Sequence, residues 1–540
     1  MILLTACSGF DVTDPLGTIN RATGTKAKAK ALQVYGVAAG DDPVAVSVAN
    51  SMLLRGGSAA DAAAAMGFVM GVTYPSRAGL GGGGVCLAGG AKKKVQVLNF
   101  LPMAGTAKSD NMDRPSAIPS TARGMAALHA RHGRLPWRTI VAPAQNFAKE
   151  GFIMTPTFAN DLSELSGPLF ADPISRAIFT DATGDPVTAG RRLRQFDLSS
   201  VLALISGRGA GEFYNGLLAR RIVAAAAAAG GSLTEQDLRG FLPAWQEPVS
   251  VQIGDSVLYA PAPPANAGVS AIQMLQLAIA GDAKAPPSDL DRGHLIVEAA
   301  KRALGERSKW LGSDFGASAS VQRLLTAQHA VRLMQDYTVD RASPGDRYFE
   351  KSRIPRQFDA ETSFVVADGE GLVVACTLTM YHLFGTGRTA PGLGFLLAPA
   401  PDAKGRNPVS LGPVVITRAA DNALHFAFSA SGGETAATAL ANVMFRSLLE
   451  KKGLNEAIAA ARLHYEANSG ETVIEDREDK GRLTALIGRG HKVRRLPSIG
   501  RVNAFACPAG LPALDPDCSV ASDPRAQGVE FTVRLKQQDR

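Results

Sequence analysis

Residues 361–387, ETSFVVADGEGLVVACTLTMYHLFGTG, constrain the fold of this chain more than any other stretch. A β-branched apolar run at 362–368 is followed by Asp-Gly-Glu-Gly, a second such run at 372–380, and the loop Phe384-Gly385-Thr386-Gly387. Two runs of this kind joined by turn residues read as paired strands. Further short β-patterned runs lie at 413–418 and 424–429, with helical patterns at 434–450 and 454–462. The C-terminal part is therefore expected to place strands against helices.

The N-terminal part opens differently. Residues 8–37, rich in Gly, Thr, Lys and Ala, read as a flexible leader, with the folded part starting near Ala38. A helical pattern over 43–72 breaks at Gly56-Gly57, a helix stop. Ser58 can cap the next helix with Asp61 at its third position, close to a capping box. That helix, AADAAAAMGFVMGV, is built of small residues and should pack tightly on a sheet. The run Gly81–Gly84 before VCLAGG lacks the Lys-Ser/Thr ending and the element order of a nucleotide loop. It reads as a sharp turn with close backbone approach.

Charge and cysteines narrow the function classes. The net charge is +8, from 57 basic and 49 acidic residues. The basic clusters Lys26-Lys28-Lys30, Lys92-Lys93-Lys94 and Arg191-Arg192-Arg194 are scattered and lack interleaved aromatics, so they read as solvated surface, with no nucleic-acid partner. No run approaches the ~18 apolar residues of a membrane-spanning helix. Cys86 and Cys376 lie in apolar, strand-like runs and read as buried thiols. Cys507 and Cys518 bracket CPAGLPALDPDC, where an oxidising periplasm would allow a disulfide. No spacing of Cys and His matches a zinc site, and neither metal nor cofactor is expected.

The first residues, Ile2-Leu3-Leu4-Thr5-Ala6-Cys7-Ser8, resemble a bacterial lipobox, in which the cysteine is acylated after signal removal. The apolar run is too short for a signal segment and a basic flank is absent. Either the translation start lies upstream or the match is accidental. The lipoprotein reading implies a periplasmic, envelope-bound protein held to the membrane only by a lipid on Cys7.

A series of motifs in fixed order resembles the γ-glutamyltranspeptidase family of N-terminal nucleophile hydrolases. GGSAADAAAAM and LGGGGVCLAGG are followed by IPSTARGMAALHARHGRLPW (118–137) and VAPAQNFAKEGFIMT (141–155). GEFYNGLLARRIVAAAAAAGGSLTEQDLRGF (211–241), APAPPANAGVSAIQML (260–275) and HLIVEAAKRALGERSKWLG (294–312) come next. SASGGE (429–434), ARLHYE (461–466), GHKV (490–493) and SDPRAQG (522–528) complete the order, so the likeness covers about residues 38–533. It implies an α/β (α+β) fold, a four-layer α-β-β-α sandwich with two stacked antiparallel sheets. Region 38–360 resembles the large subunit and 361–540 the small one, both parts of a single fold after the leader 1–37.

The family frees a threonine by autocleavage, and its own α-amine then serves as base. Counted back without a gap from Phe384-Gly385-Thr386-Gly387, that position holds Glu361, with Thr362 one residue later. A rival register, deleting one residue after Ser363, makes Thr362 the nucleophile. A one-residue slip reverses the faces of a strand, so it requires a bulge or a shifted end. Gly432 and Gly433 resemble the family's oxyanion-hole pair.

In the pocket, Leu101 stands where the resemblance calls for a carboxylate-binding arginine. Ala403 stands where an acidic residue is expected, with Asp402 adjacent. Ala400 replaces an amide, Tyr381 an asparagine, and Val409 one member of a serine pair of which Ser410 remains. Thr379 is retained. The resemblance thus implies a family protein of the cell envelope, degenerate at nucleophile and pocket and lacking glutathione hydrolase activity. The alternative is an autoprocessed amide hydrolase using Thr362 on a small amide or peptide without the γ-glutamyl zwitterion. A third reading, Glu361 as a carboxylate catalyst, needs a second placed acid or base that the sequence does not identify.

Overall fold

The computed structural model describes residues 33–90, 93–106, 114–284, 288, 290–311, 321–349, 359–401, 410–512 and 518–535. In chain order, the strands of its two large sheets are β1 (Gln33–Gly40), β2 (Gly83–Gly90), β3 (Lys93–Phe100), β4 (Ala244–Gln246), β5 (Val249–Ile253), β6 (Ser256–Ala260), β7 (Glu361–Asp368), β8 (Leu372–Thr379), β9 (Gly412–Arg418), β10 (Leu424–Ser431), β11 (Arg501–Leu511), β12 (Ser519–Ala521) and β13 (Val529–Leu535). One sheet runs β13-β1-β7-β8-β2-β3-β4 and the other β12-β11-β10-β9-β6-β5. Every pairing within both is antiparallel.

Period-two alternation builds the layers. On β7, Phe364 and Val366 turn outward onto helices α1 (Pro43–Leu54) and α2 (Ala59–Thr73). Val365 and Ala367 turn inward, packing with Val415, Ala427 and Phe505 of the second sheet. The outer face of that sheet, with Val414, Ile416 and Phe428, carries α3 (Ala267–Lys284), α4 (Arg292–Trp310) and α5 (Ala436–Met444). The result is a four-layer helix-sheet-sheet-helix sandwich. Each fully buried Val, Leu or Phe in it stabilises by roughly 1.5–3 kcal/mol.

Local chemistry sets the elements. The Ser58–Asp61 capping box is complete, with the Ser58 N–H donating to Asp61 at 2.8 Å and the Asp61 N–H to Ser58 Oγ at 3.1 Å. In the glycine run, a Cβ on Gly82 would stand 2.3 Å from the Thr379 carbonyl oxygen, so only glycine lets this segment lie on β8.

Several expectations change. β1 begins at Gln33, inside the stretch read as leader, and lies within the sheet between β13 and β7. Cys86 and Cys376 are buried but are not thiols: they oppose each other across β2 and β8 and form a disulfide. Antiparallel neighbours directly opposite bring their side chains close enough for this. Cys507 and Cys518 are also bonded. The helix expected over 434–450 is α5 followed by a π-helical turn, Phe445–Leu449. Cys7, Asp402, Ala403 and Val409 lie outside the described residues. Among the described residues, no helix is long and apolar enough to cross a membrane.

Candidate active site

The first residue of β7 is Glu361, paired with Thr379 of β8 in unbroken register. Adjacent strand residues point to opposite faces. Ser363 turns to the second sheet and donates to the Ser429 carbonyl at 3.2 Å. Glu361 shares that face. Its Oε2 accepts the N–H groups of Gly433 at 2.8 Å and Gly432 at 3.3 Å. Those glycines follow β10 with φ of 134° and 56°, a conformation that turns successive N–H groups toward one point.

Thr362 does not face the glycine pair. It is fully buried, and its hydroxyl donates to Asp41 Oδ2 at 3.1 Å. The same carboxylate accepts from the Ser363 N–H, the Ser431 hydroxyl and the Asn503 amide.

Charge around Glu361 is unusually dense. Asp359, two residues earlier, accepts two bonds from Arg501 and one from Arg77, each at 2.6 Å. Arg77 is itself clamped on Asp161 through Nε and Nη2, both at 2.8 Å. Arg501 also donates to the Glu361 carbonyl at 3.2 Å. Burial disfavours the Asp359 charge, but the Arg501 and Arg77 guanidiniums outweigh it and hold that carboxyl well below the usual range. Glu361 goes the other way. Burial first, then the Asp359 charge, push its carboxyl up to about 7 against the opposing pull of the Gly433 and Gly432 N–H groups and Arg501.

The pocket positions fall close by. Thr379 Oγ1 accepts the Tyr381 N–H at 2.9 Å. Tyr381 holds φ at 65° and donates its hydroxyl to the Pro102 carbonyl, next to Leu101. Leu101 is buried among the apolar residues between the sheets. Ala400 hydrogen-bonds Pro115 through its N–H, and Ser410 is buried just before β9. Sequence reasoning did not reach Asp41, Arg77, Asp161, Asp359, Arg501 or Asn503. Arg77 and Asp359 are 282 residues apart, with no local motif to join them.

Among the described residues, His294, Glu298 and His491 also bring ligand-type atoms close together. The two rings hydrogen-bond each other at 2.8 Å. Glu298 is engaged by Lys301 at 2.7 Å, Arg302 at 2.5 Å and the Ser343 N–H at 3.2 Å. A dication there would have to displace two cations, so the group reads as a buried polar network.

The model of the family described as Gamma-glutamyltranspeptidase matches residues 45–533. The chain belongs to the gamma-glutamyltranspeptidase family. It is 26% identical over 532 residues to a glutathione hydrolase proenzyme of Escherichia coli strain K12, covering 91% of this chain and 90% of that one. It is 28% identical over 509 residues to the acylase ACY 1 proenzyme of Pseudomonas sp. strain V22, covering 87% and 89%. Cephalosporin acylase from Bacillus halodurans superposes with a TM-score of 0.77 over 95% of this chain and 98% of that one, at 22% identity, a likeness of fold. Within this gamma-glutamyltranspeptidase-family chain, the glycine pair is thus occupied by a side chain of the protein itself.

Proposed function

We propose that this protein is a non-autoprocessing gamma-glutamyltranspeptidase-family member without glutathione hydrolase activity, resident in the bacterial cell envelope and anchored through Cys7. One observation carries the catalytic half: the Glu361 carboxylate sits on the N–H groups of Gly432 and Gly433. Autocleavage by an N→O or N→S acyl shift needs a hydroxyl or a thiol at that position, and a carboxylate supplies neither. The donors that would hold a developing oxyanion are already engaged by a carboxylate oxygen, so a substrate carbonyl would have to displace it.

Two further observations support this reading. Leu101 offers no charge to a substrate carboxylate, the loss of a charged hydrogen bond worth about 1.5–3 kcal/mol. Tyr381 bridges to Pro102 beside it. The Thr362 alternative has less support, because its hydroxyl is engaged by Asp41 and the neighbouring residue faces the glycines. The envelope reading draws on the Cys7 motif and on the Cys86–Cys376 and Cys507–Cys518 disulfides, chemistry typical of an oxidising compartment.

The test is a glutathione hydrolysis assay on the purified full-length chain and its Thr362→Ala variant. Both are expected to match the buffer control. Turnover by the parent that Thr362→Ala abolishes would overturn the proposal.

A further inference from the structure

Beside α4 lies a cleft of about 650 Å³ whose lining includes neither Glu361 nor the glycine pair. It opens between the loop 342–349 and a small sheet formed by Leu463–Glu466, Glu471–Glu475 and Val493–Leu496. Its volume falls within the ~300–1,000 Å³ typical of small-molecule sites. We propose that this cleft binds a small organic anion, a carboxylate or phosphate carried on a flat aromatic body.

The lining supplies both halves of that chemistry. Lys301 and Lys492 line it, and among the described residues no Asp or Glu does. Lys301 is buried and directs two of its three N–H groups to Glu298 and the Ser343 carbonyl, each at 2.7 Å, while lying 5.2 Å from the Tyr465 ring centroid. Glu298 balances its charge, which leaves Lys492 as the cation on the exposed rim among the described lining residues. His491 forms part of the floor. Burial, then Lys301 and His294, hold it down to about 3, so it contributes hydrogen bonding and no charge at neutral pH.

The flat wall is aromatic. Phe349 stacks on Tyr465 with ring centroids 5.5 Å apart and planes inclined by 26°. Phe349 is only half-buried and lines the cleft, where it can take a further ring. A neighbouring depression is acidic, lined by Glu466 and Glu471. Arg494 and Ser469 engage Glu471, and Glu466 repels an anion from that end toward Lys492.

The walls are built, not incidental. Ser343 is held by Glu298, Lys301 and Arg302, and the Ala342 N–H donates to the Arg489 carbonyl at 2.8 Å. His294 donates to or accepts from His491 and reaches the Thr338 carbonyl, tying this loop to α4.

The test is calorimetric titration of the full-length protein with phenyl phosphate and with benzoate, which separate the two anion types. Benzamidine serves as the aromatic cation and inorganic phosphate as the ringless anion. At least one aromatic anion is expected to bind, with benzamidine and inorganic phosphate each weaker by roughly tenfold or more. Lys492→Glu, on the exposed rim, should weaken the aromatic anion by a similar factor, and Phe349→Ala should weaken it without changing the response to inorganic phosphate. Failure of both aromatic anions to bind, equal binding of benzamidine or phosphate, or indifference to Lys492→Glu would overturn the proposal.

Discussion

The Glu361 carboxylate accepts the backbone N–H of Gly433 at 2.8 Å, closing the two-glycine site with a side chain of the same fold. The contact is enclosed, since Glu361 is only 4% exposed. It is also electrostatically loaded, because Asp359 lies two residues away, held by both Arg501 and Arg77.

That setting makes Glu361 a stability-linked titrating group. Its folded-state value near 7 exceeds the ~4.3 of an unfolded glutamate, so the native state holds the proton more tightly. Its contribution is present in full below about pH 4.3 and is lost as the pH rises through about 7. Relative to Glu361→Gln, the parent should therefore lose of the order of 1–3 kcal/mol of stability over that range. Asp42, which burial raises to about 6, is common to both proteins and cancels. Urea melts of the pair across pH check this. A difference that is flat or rises with pH would contradict the assignment.

Thr362 is expected to act as a structural residue. Thr362→Val removes the hydroxyl bound to the Asp41 carboxylate, a charged hydrogen bond worth about 1.5–3 kcal/mol. Denaturant melts should show a loss of that order, while the length of the purified chain stays unchanged.

Much of this was legible in the sequence, for physical reasons that differ by residue. The Ser58–Asp61 cap is local and needs only a spacing of three. The ungapped count from Phe384-Gly385-Thr386-Gly387 assumes an unbroken strand pair, and β7 and β8 do pair without a slip, with Glu361 opposite Thr379. Other features depended on sheet order. Cys86 and Cys376 stand 290 residues apart, and only the placement of β2 beside β8 makes them partners. β1 opens on Gln33-Val34-Tyr35, at the end of a stretch dominated by Gly, Thr, Lys and Ala, and these residues belong to a strand because β13 and β7 flank them. The Arg77–Asp359–Arg501 group joins three distant segments and left no pattern to read.

Arg77 should be among the costliest residues to remove. Its side chain is 8% exposed and that of Asp161 is 6% exposed, so Arg77→Ala strands a buried carboxylate. A loss of about 3–5 kcal/mol is expected in equilibrium unfolding. A change below about 1 kcal/mol, the range of exposed pairs, would show that the cluster is solvated in solution.

The Cys86–Cys376 bridge closes most of the chain into a loop. Cys376→Ser should lower stability by about 2–5 kcal/mol under non-reducing conditions and abolish most of the parent's sensitivity to reductant. Thiol titration of the denatured, unreduced parent should find all four of Cys86, Cys376, Cys507 and Cys518 blocked.

The same bridge dictates how the central claim is measured, since Cys86 and Cys376 lie on opposite sides of Glu361 and would hold a cut chain together. The decisive measurement is the intact mass of the purified protein after prolonged incubation, denatured and fully reduced. A non-autoprocessing protein gives one species, uncut at the start of β7. Two chains of about 38 and 19 kDa, the shares of 56.3 kDa on either side of a cut before Thr362, would contradict the account.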